Sequence, residues 1–320
     1  MTDFFYNDAG RLRSVWRLAV FAVAYLAAVT AVFMATNFLA ALLLPPGVYK
    51  FFFEGTPGYV IQSVLLFIPA ALIGWGCALA LEDLPWRSLG WSLHRGWLRD
   101  MLSGTFLGGV SVCAAALIGL AAGGYSFTVA DATGGVLQTL VVSGVIFVGG
   151  AAAEEMLFRG YPLQTLMRSW PWWVAIIPVS LPFALVHLGN PNVVPGFTFV
   201  NTALAGVWLG VAYWRTRSLW FPTGVHFGWN WVQGAVLGSP VSGIKSITPN
   251  PLLRYDANDA LAWLSGGGYG IEGGAACTLA LVVSTLFIWR AGGLFKADPE
   301  LKQYTDGENP NPQTPHVTPS

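Results

Sequence analysis

The chain has 320 residues, 54% of them hydrophobic and only 10% charged, with 16 basic side chains against 16 acidic ones. That balance is too apolar for an ordinary soluble domain, shows no basic surface of the kind that binds nucleic acid, and fits a polytopic membrane protein. Cys77, Cys113 and Cys277 all lie inside apolar runs, which argues against a disulfide framework.

At about 20 residues per crossing, eight segments are apolar enough to span a bilayer. They lie near residues 15–44, 59–81, 101–122, 136–160, 172–188, 193–214, 219–238 and 271–290. The expected fold class is therefore all-α, a membrane bundle of about eight transmembrane helices occupying residues 1–296. Arg11, Arg13 and Arg17 precede an apolar run much longer than that of a signal peptide, so the first segment reads as an uncleaved span. Between the second and third spans, Trp86, Trp91 and Trp97 mix with Arg87, His94, Arg95 and Arg99, the composition of an interfacial anchoring loop. Gly104 and Gly108, and again Gly206 and Gly210, stand four apart inside spans, where they let helices approach closely. The fifth span is short and holds Pro178 and Pro182, so a kink or tilt is expected.

The loop from Ser239 to Gly270 reads as a short surface helix over 260–264 followed by a glycine turn. Glu272 suits the N-terminus of the last span. Residues 297–320 are rich in Pro, Asn, Thr and Asp, and read as a disordered cytoplasmic tail. With both termini cytoplasmic, the inside segments hold every Lys and Arg except Lys50, Lys245 and Arg254. That asymmetry supports this orientation and an even number of spans, and the expected location is that of an integral protein of the bacterial inner membrane.

The feature that breaks the apolar pattern is Glu154-Glu155-Met156-Leu157-Phe158-Arg159 in the fourth span. An acidic residue at the centre of a membrane helix costs roughly 2.5–3.5 kcal/mol, so two in succession need a partner or a purpose. Residues four apart share a helix face, so Glu155 can pair with Arg159 while Glu154 points elsewhere. Two histidines also lie at depth. His187 follows Phe183 by one turn on the fifth span, and His226 precedes Asn230 by one turn on the seventh; Asn201 on the sixth joins the same polar set.

The chemistry open to this set is limited. Glu154 and a neutral His187 can hold and deprotonate a water, and His226 with Asn230 can donate to the oxyanion that forms. No serine or cysteine is visibly coupled to these groups, which disfavours covalent catalysis. Zinc held by two histidines and a glutamate is the alternative, although His-Glu-x-x-His is missing.

The ordered motifs Glu154-Glu155-x-x-x-Arg159, Phe183-x-x-x-His187 and His226-x-x-x-Asn230 resemble the CAAX prenyl proteases and bacteriocin-processing enzymes, also called Abi or CPBP intramembrane proteases. Phe158-Arg159-Gly160-Tyr161 and Asn190 extend the resemblance, which covers about residues 136–238. It implies an endopeptidase that cleaves hydrophobic, lipidated or membrane-associated peptides, in which Glu154 and His187 activate water and His226 and Asn230 stabilise the oxyanion. Glu155 and Arg159 would support them. The family has been described both as glutamate-dependent and as metal-dependent. The leading expectation needs no cofactor, and the alternative is zinc on Glu154, His187 and His226. Some members are linked to bacteriocin self-immunity, so a non-catalytic immunity or scaffold protein is the competing reading; a proton-coupled transporter would be expected to show a two-fold repeat, and none is apparent.

One geometric demand follows. If the fourth span ended at Arg159, Glu154 would sit about 8 Å from the cytoplasmic boundary while His187 lay near the opposite face. The helix is therefore expected to run on toward Arg168, bringing Glu154 and His187 within about 10 Å.

Overall fold

The computed structural model describes residues 2–8, 10–131, 134–194 and 196–308. Its elements are nearly all helical because a backbone in lipid must satisfy its own hydrogen bonds. In chain order they begin with α1 (Ser14–Leu43), α2 (Thr56–Glu82) and α3 (Trp97–Ala121). α4 (Gly134–Arg159) is continued by α5 (Tyr161–Met167), and the two together are apolar over 34 residues. The shorter α6 (Trp172–His187), α7 (Phe197–Thr216), α8 (Trp220–Trp231) and α9 (Ala275–Arg290) follow.

Among the described residues five helices are long and apolar enough to cross a membrane, namely α1, α2, α3, α4 with α5, and α7. The other three of the about eight expected segments are shorter than these. Segments 172–188 and 271–290 are short helices, and 219–238 is the 12-residue α8 extended by a π-turn over Val232–Val236. As expected, α6 is interrupted, with Pro178 opening the part that starts at Ile177 and Pro182 inside it.

Two short strands stand outside the all-helical expectation. β1 (Tyr125–Val129) pairs antiparallel with β2 (Leu253–Ala257), Tyr125 opposite Ala257 and Val129 opposite Leu253. Tyr125, Phe127 and Tyr255 gather across this ladder with ring centroids 5.1–5.9 Å apart, the aromatic cross-strand packing that favours a strand over a loop. The loop beyond it has the expected short helix, Ala262–Ser265, ended by Gly266 at φ +79°.

The closest helix contact is α3 on α8. A Cβ at Gly108 would lie 2.0 Å from the Val225 carbonyl oxygen, and one at Gly228 would lie 2.1 Å from that of Thr105, so the two backbones touch through glycine. Gly206 and Gly210 on α7 make room for α6 side chains, since an added Cβ would come within 2.8 Å of the Ser180 Cβ and 2.9 Å of the Ile176 side chain. Both glycine pairs thus seat helices that carry a histidine of the polar set.

At one end of the bundle Glu82, closing α2, bridges Arg17 of α1 and Arg168 beyond α5, the latter at 3.0 Å. Three side chains separated by up to 151 positions share that end, as the charge pattern required of Arg17 and Arg168. The expectation of a disordered tail is corrected over α10 (Pro299–Asp306), which Asp298 caps by accepting from the Leu301 N–H at 3.0 Å. Leu301, Tyr304 and Thr305 are buried there, Arg217 pairs with Asp306 at 3.0 Å, and Arg168 donates to the Thr305 carbonyl at 3.1 Å. Residues 309–320, including His316, lie outside the described residues. The interfacial loop is also more ordered than a plain anchor. Trp91 and Trp97 pack on Trp220 at 4.5 and 4.7 Å, and His94 is buried against Asp100 at 3.0 Å. Burial alone would lower the His94 pKa, but the hydrogen bonds to Asp100 and the Ser92 carbonyl and the negative charges of Asp100 and Asp298 together outweigh it, and the net shift is upward.

Candidate active site

The acidic pair divides as the helix period requires. Glu155 is fully buried and its Oε1 accepts from Arg159 Nη1 at 3.0 Å, one turn on. Arg159 is equally buried, donates from Nη2 to the Gly206 carbonyl at 3.1 Å, and lies over the Phe183 ring at 4.5 Å. Glu155 has a second partner that the spacing alone did not reveal, for its Oε1 also accepts from His226 Nδ1 at 3.0 Å. A single carboxylate oxygen therefore orders both the guanidinium on its own helix and the imidazole on α8.

Glu154 faces the other way. Its Oε2 is buried with no hydrogen-bond partner, yet lies 3.9 Å from His187 Nε2 and 3.9 Å from His226 Nε2. The Phe183 carbonyl can only accept, so His187 Nδ1 must donate to it at 2.7 Å, which leaves Nε2 of the neutral ring as the acceptor facing Glu154. Phe183 also packs on His187 at 4.7 Å and on His226 at 6.2 Å, holding both rings in place. The demand for extension past Arg159 is met with a break. The Gly160 N–H reaches back to the Glu155 carbonyl at 3.0 Å before α5 begins, and a Cβ at Gly160 would lie 2.3 Å from the Met156 carbonyl oxygen. Glycine is what permits that turn.

These groups open on a cavity of about 530 Å³ bordered by Glu154, His187, His226 and Asn230, together with Asn190 and Tyr25. The site residues expected from the sequence thus share one space, drawn from α4, α6 and α8. Asn201 borders it too, but its amide fastens α7 to the start of α9, donating to the carbonyls of Glu272 at 2.7 Å and Gly274 at 2.9 Å. Glu272 differs from its expected role at a helix N-terminus. It sits in a 3-10 turn, Ile271–Gly273, and its carboxylate accepts from Trp229 Nε1 at 3.1 Å and from the Ser242 N–H and hydroxyl at 2.6 and 3.1 Å. It borders the same cavity. Sequence reasoning missed this because Trp229, Ser242 and Glu272 are far apart in the chain and carry no common motif.

Glu154 Oε2 and the two imidazole Nε2 atoms are the donor types of a catalytic zinc. Among the described residues, however, no group of three or more His, Cys, Asp or Glu side chains is arranged to hold a metal ion. What the set does offer is a carboxylate beside two oriented imidazoles in a largely apolar enclosure, suited to holding and polarising a small polar molecule such as water.

Residues 135–232 match the family model described as type II CAAX prenyl endopeptidase Rce1-like. The matched segment runs from the second residue of α4 to just past α8 and contains Glu154, Glu155, Arg159, His187, His226 and Asn230. This part of the chain is thus similar to a CAAX-type intramembrane protease domain, and the five helices long and apolar enough to cross a membrane among the described residues make the protein an integral membrane one. No curated protein and no solved structure gives a match.

Proposed function

We propose that the protein is an intramembrane endopeptidase that hydrolyses a peptide bond in a hydrophobic, lipidated or membrane-associated substrate with water activated by Glu154 and His187. The observation that carries this reading is the buried, unpartnered Glu154 Oε2 with an imidazole Nε2 on either side at 3.9 Å. Two groups that far apart can both reach one water at ordinary hydrogen-bond lengths of about 2.7–3.0 Å.

In this mechanism the water donates one hydrogen to Glu154 and the other to His187 Nε2. Its oxygen bonds to the scissile carbonyl carbon as Glu154 takes a proton. The oxyanion accepts from the Asn230 amide and from Nε2–H of a protonated His226, whose Nδ1–H stays on Glu155. Glu155 fixes that ring by accepting from Nδ1, and Arg159 holds the Glu155 carboxylate in place. The carbon–nitrogen bond then breaks as Glu154 returns its proton to the leaving amine, giving a new amine and a carboxylic acid, whose remaining water-derived proton passes to His187 Nε2 to leave the carboxylate. The leading reading needs no metal; stoichiometric zinc that is lost in both His187→Ala and His226→Ala would replace it. In this reading the protein lies in the bacterial inner membrane, and the Lys and Arg asymmetry supports cytoplasmic termini.

The test is cleavage of membrane-associated peptides by the purified protein in lipid vesicles. Glu154→Gln should lower kcat by about 10²–10⁴, the usual contribution of a general base, with the unfolding temperature unchanged. Full activity in that variant would refute the assigned base.

A further inference from the structure

The charge lining the cavity bears on which peptides it accepts. Two carboxylates border it, Glu154 on one side and Glu272 on another, and among the described residues that line it there is no Lys or Arg. Arg159 is sealed beneath the surface and already paired with Glu155. The partners of Glu272 are an indole N–H, a backbone N–H and a hydroxyl, all neutral donors, and a carboxylate that only accepts is the ionised form. Its charge is solvated but not cancelled. Even with one imidazole protonated, the walls keep a net negative charge.

A CAAX motif is a chain end. Cleavage after its cysteine releases three residues that finish in a free carboxylate, which must lie close to the scissile bond. A carboxylate held in the cavity would meet those like charges, and one like charge at about 10 Å disfavours entry about tenfold at an effective dielectric of about 20.

Building on the endopeptidase reading, we propose that this cavity disfavours a substrate ending in a free carboxylate near the scissile bond and takes an uncharged or basic stretch of peptide instead. Glu272 supplies the discriminating charge from outside the matched domain, which ends at residue 232. It is a specificity-determining residue and takes no part in the bond-breaking step.

The experiment uses the full chain in vesicles of phosphatidylethanolamine and phosphatidylglycerol. The probe is a pool of S-farnesylated cysteine peptides, randomised at the three positions after the cysteine and prepared in two forms, free acid and carboxamide. Products are read by mass spectrometry. The expected result is a kcat/KM about tenfold higher for the carboxamides, narrowing toward equality in Glu272→Gln. Because the preference is a ratio within one protein, a variant that merely loses activity does not move it. Acids cleaved within about threefold of the amides, or faster, overturn the proposal while leaving the endopeptidase reading in place. An undiminished ratio in Glu272→Gln overturns the role given to Glu272. Cleavage of neither form overturns the endopeptidase reading, and this inference with it.

Discussion

Glu155 and Arg159 show what a buried ion pair does when its remaining hydrogen bonds are also made. The pair is shielded from solvent, and each member reaches a second group, His226 for the carboxylate and the Gly206 carbonyl for the guanidinium. Arg159→Ala leaves the Glu155 carboxylate buried without its cation, and should lower stability by about 3–5 kcal/mol, measured as a shift in thermal unfolding in detergent. Arg159→Lys should not restore it fully, because an ammonium cannot reproduce the forked contact to Glu155 and Gly206 while packing over the Phe183 ring. Glu154, on the face of Phe158 rather than that of Glu155 and Arg159, has no such partner for its Oε2.

At the scale of elements, the position of His226 depends on how close α8 can come to α3. Gly224 and Gly228 flank the histidine, and each meets α3 backbone, with an added Cβ falling 2.2 Å from the Met101 carbonyl oxygen and 2.1 Å from that of Thr105. Neither atom can move without moving the helix. Gly228→Val should therefore displace α8, cost about 1–3 kcal/mol or more, and reduce peptide cleavage through misplacement of His226 and Asn230. Gly76→Ala on α2 is the matched control. Nothing lies within 4 Å of its added Cβ, so it should be neutral or raise stability by about 0.5–1 kcal/mol. A thermal melt and a cleavage assay on both variants separate close approach from helix propensity.

For the whole molecule, one end is tied together by groups from both ends of the sequence. Arg17, Glu82 and Arg168 form one buried cluster, and α10 closes over it through Thr305 and the Arg217–Asp306 pair. Arg87 adds a contact to Glu300 at 2.5 Å and lies over the Tyr304 ring at 5.3 Å, both partners on α10. The exposed Arg87–Glu300 pair contributes little by itself, whereas burial of Leu301 and Tyr304 is worth about 1.5–3 kcal/mol each. Truncation after Lys296 should accordingly lower the unfolding temperature measurably in detergent. An unchanged melt would mean that α10 rests on the bundle without stabilising it.

The sequence by itself determined the membrane class, the pairing of Glu155 with Arg159, the freedom of Glu154, and the glycine pairs that bring helices together. Each of these depends on composition or on contacts within one helix turn, where a period of 3.6 residues fixes which side chains meet. The break at Gly160 and the docked α10 were not legible, since a kink and a short polar helix depend on what lies beside them. Tertiary structure alone decided that His187 and His226 stand equally near Glu154, that Glu155 holds His226 across 71 positions, and that Glu272 joins Trp229 to Ser242 at the cavity wall. Those contacts link helices and loops remote in the chain, and their register is set by close backbone packing, which no local pattern of residues encodes.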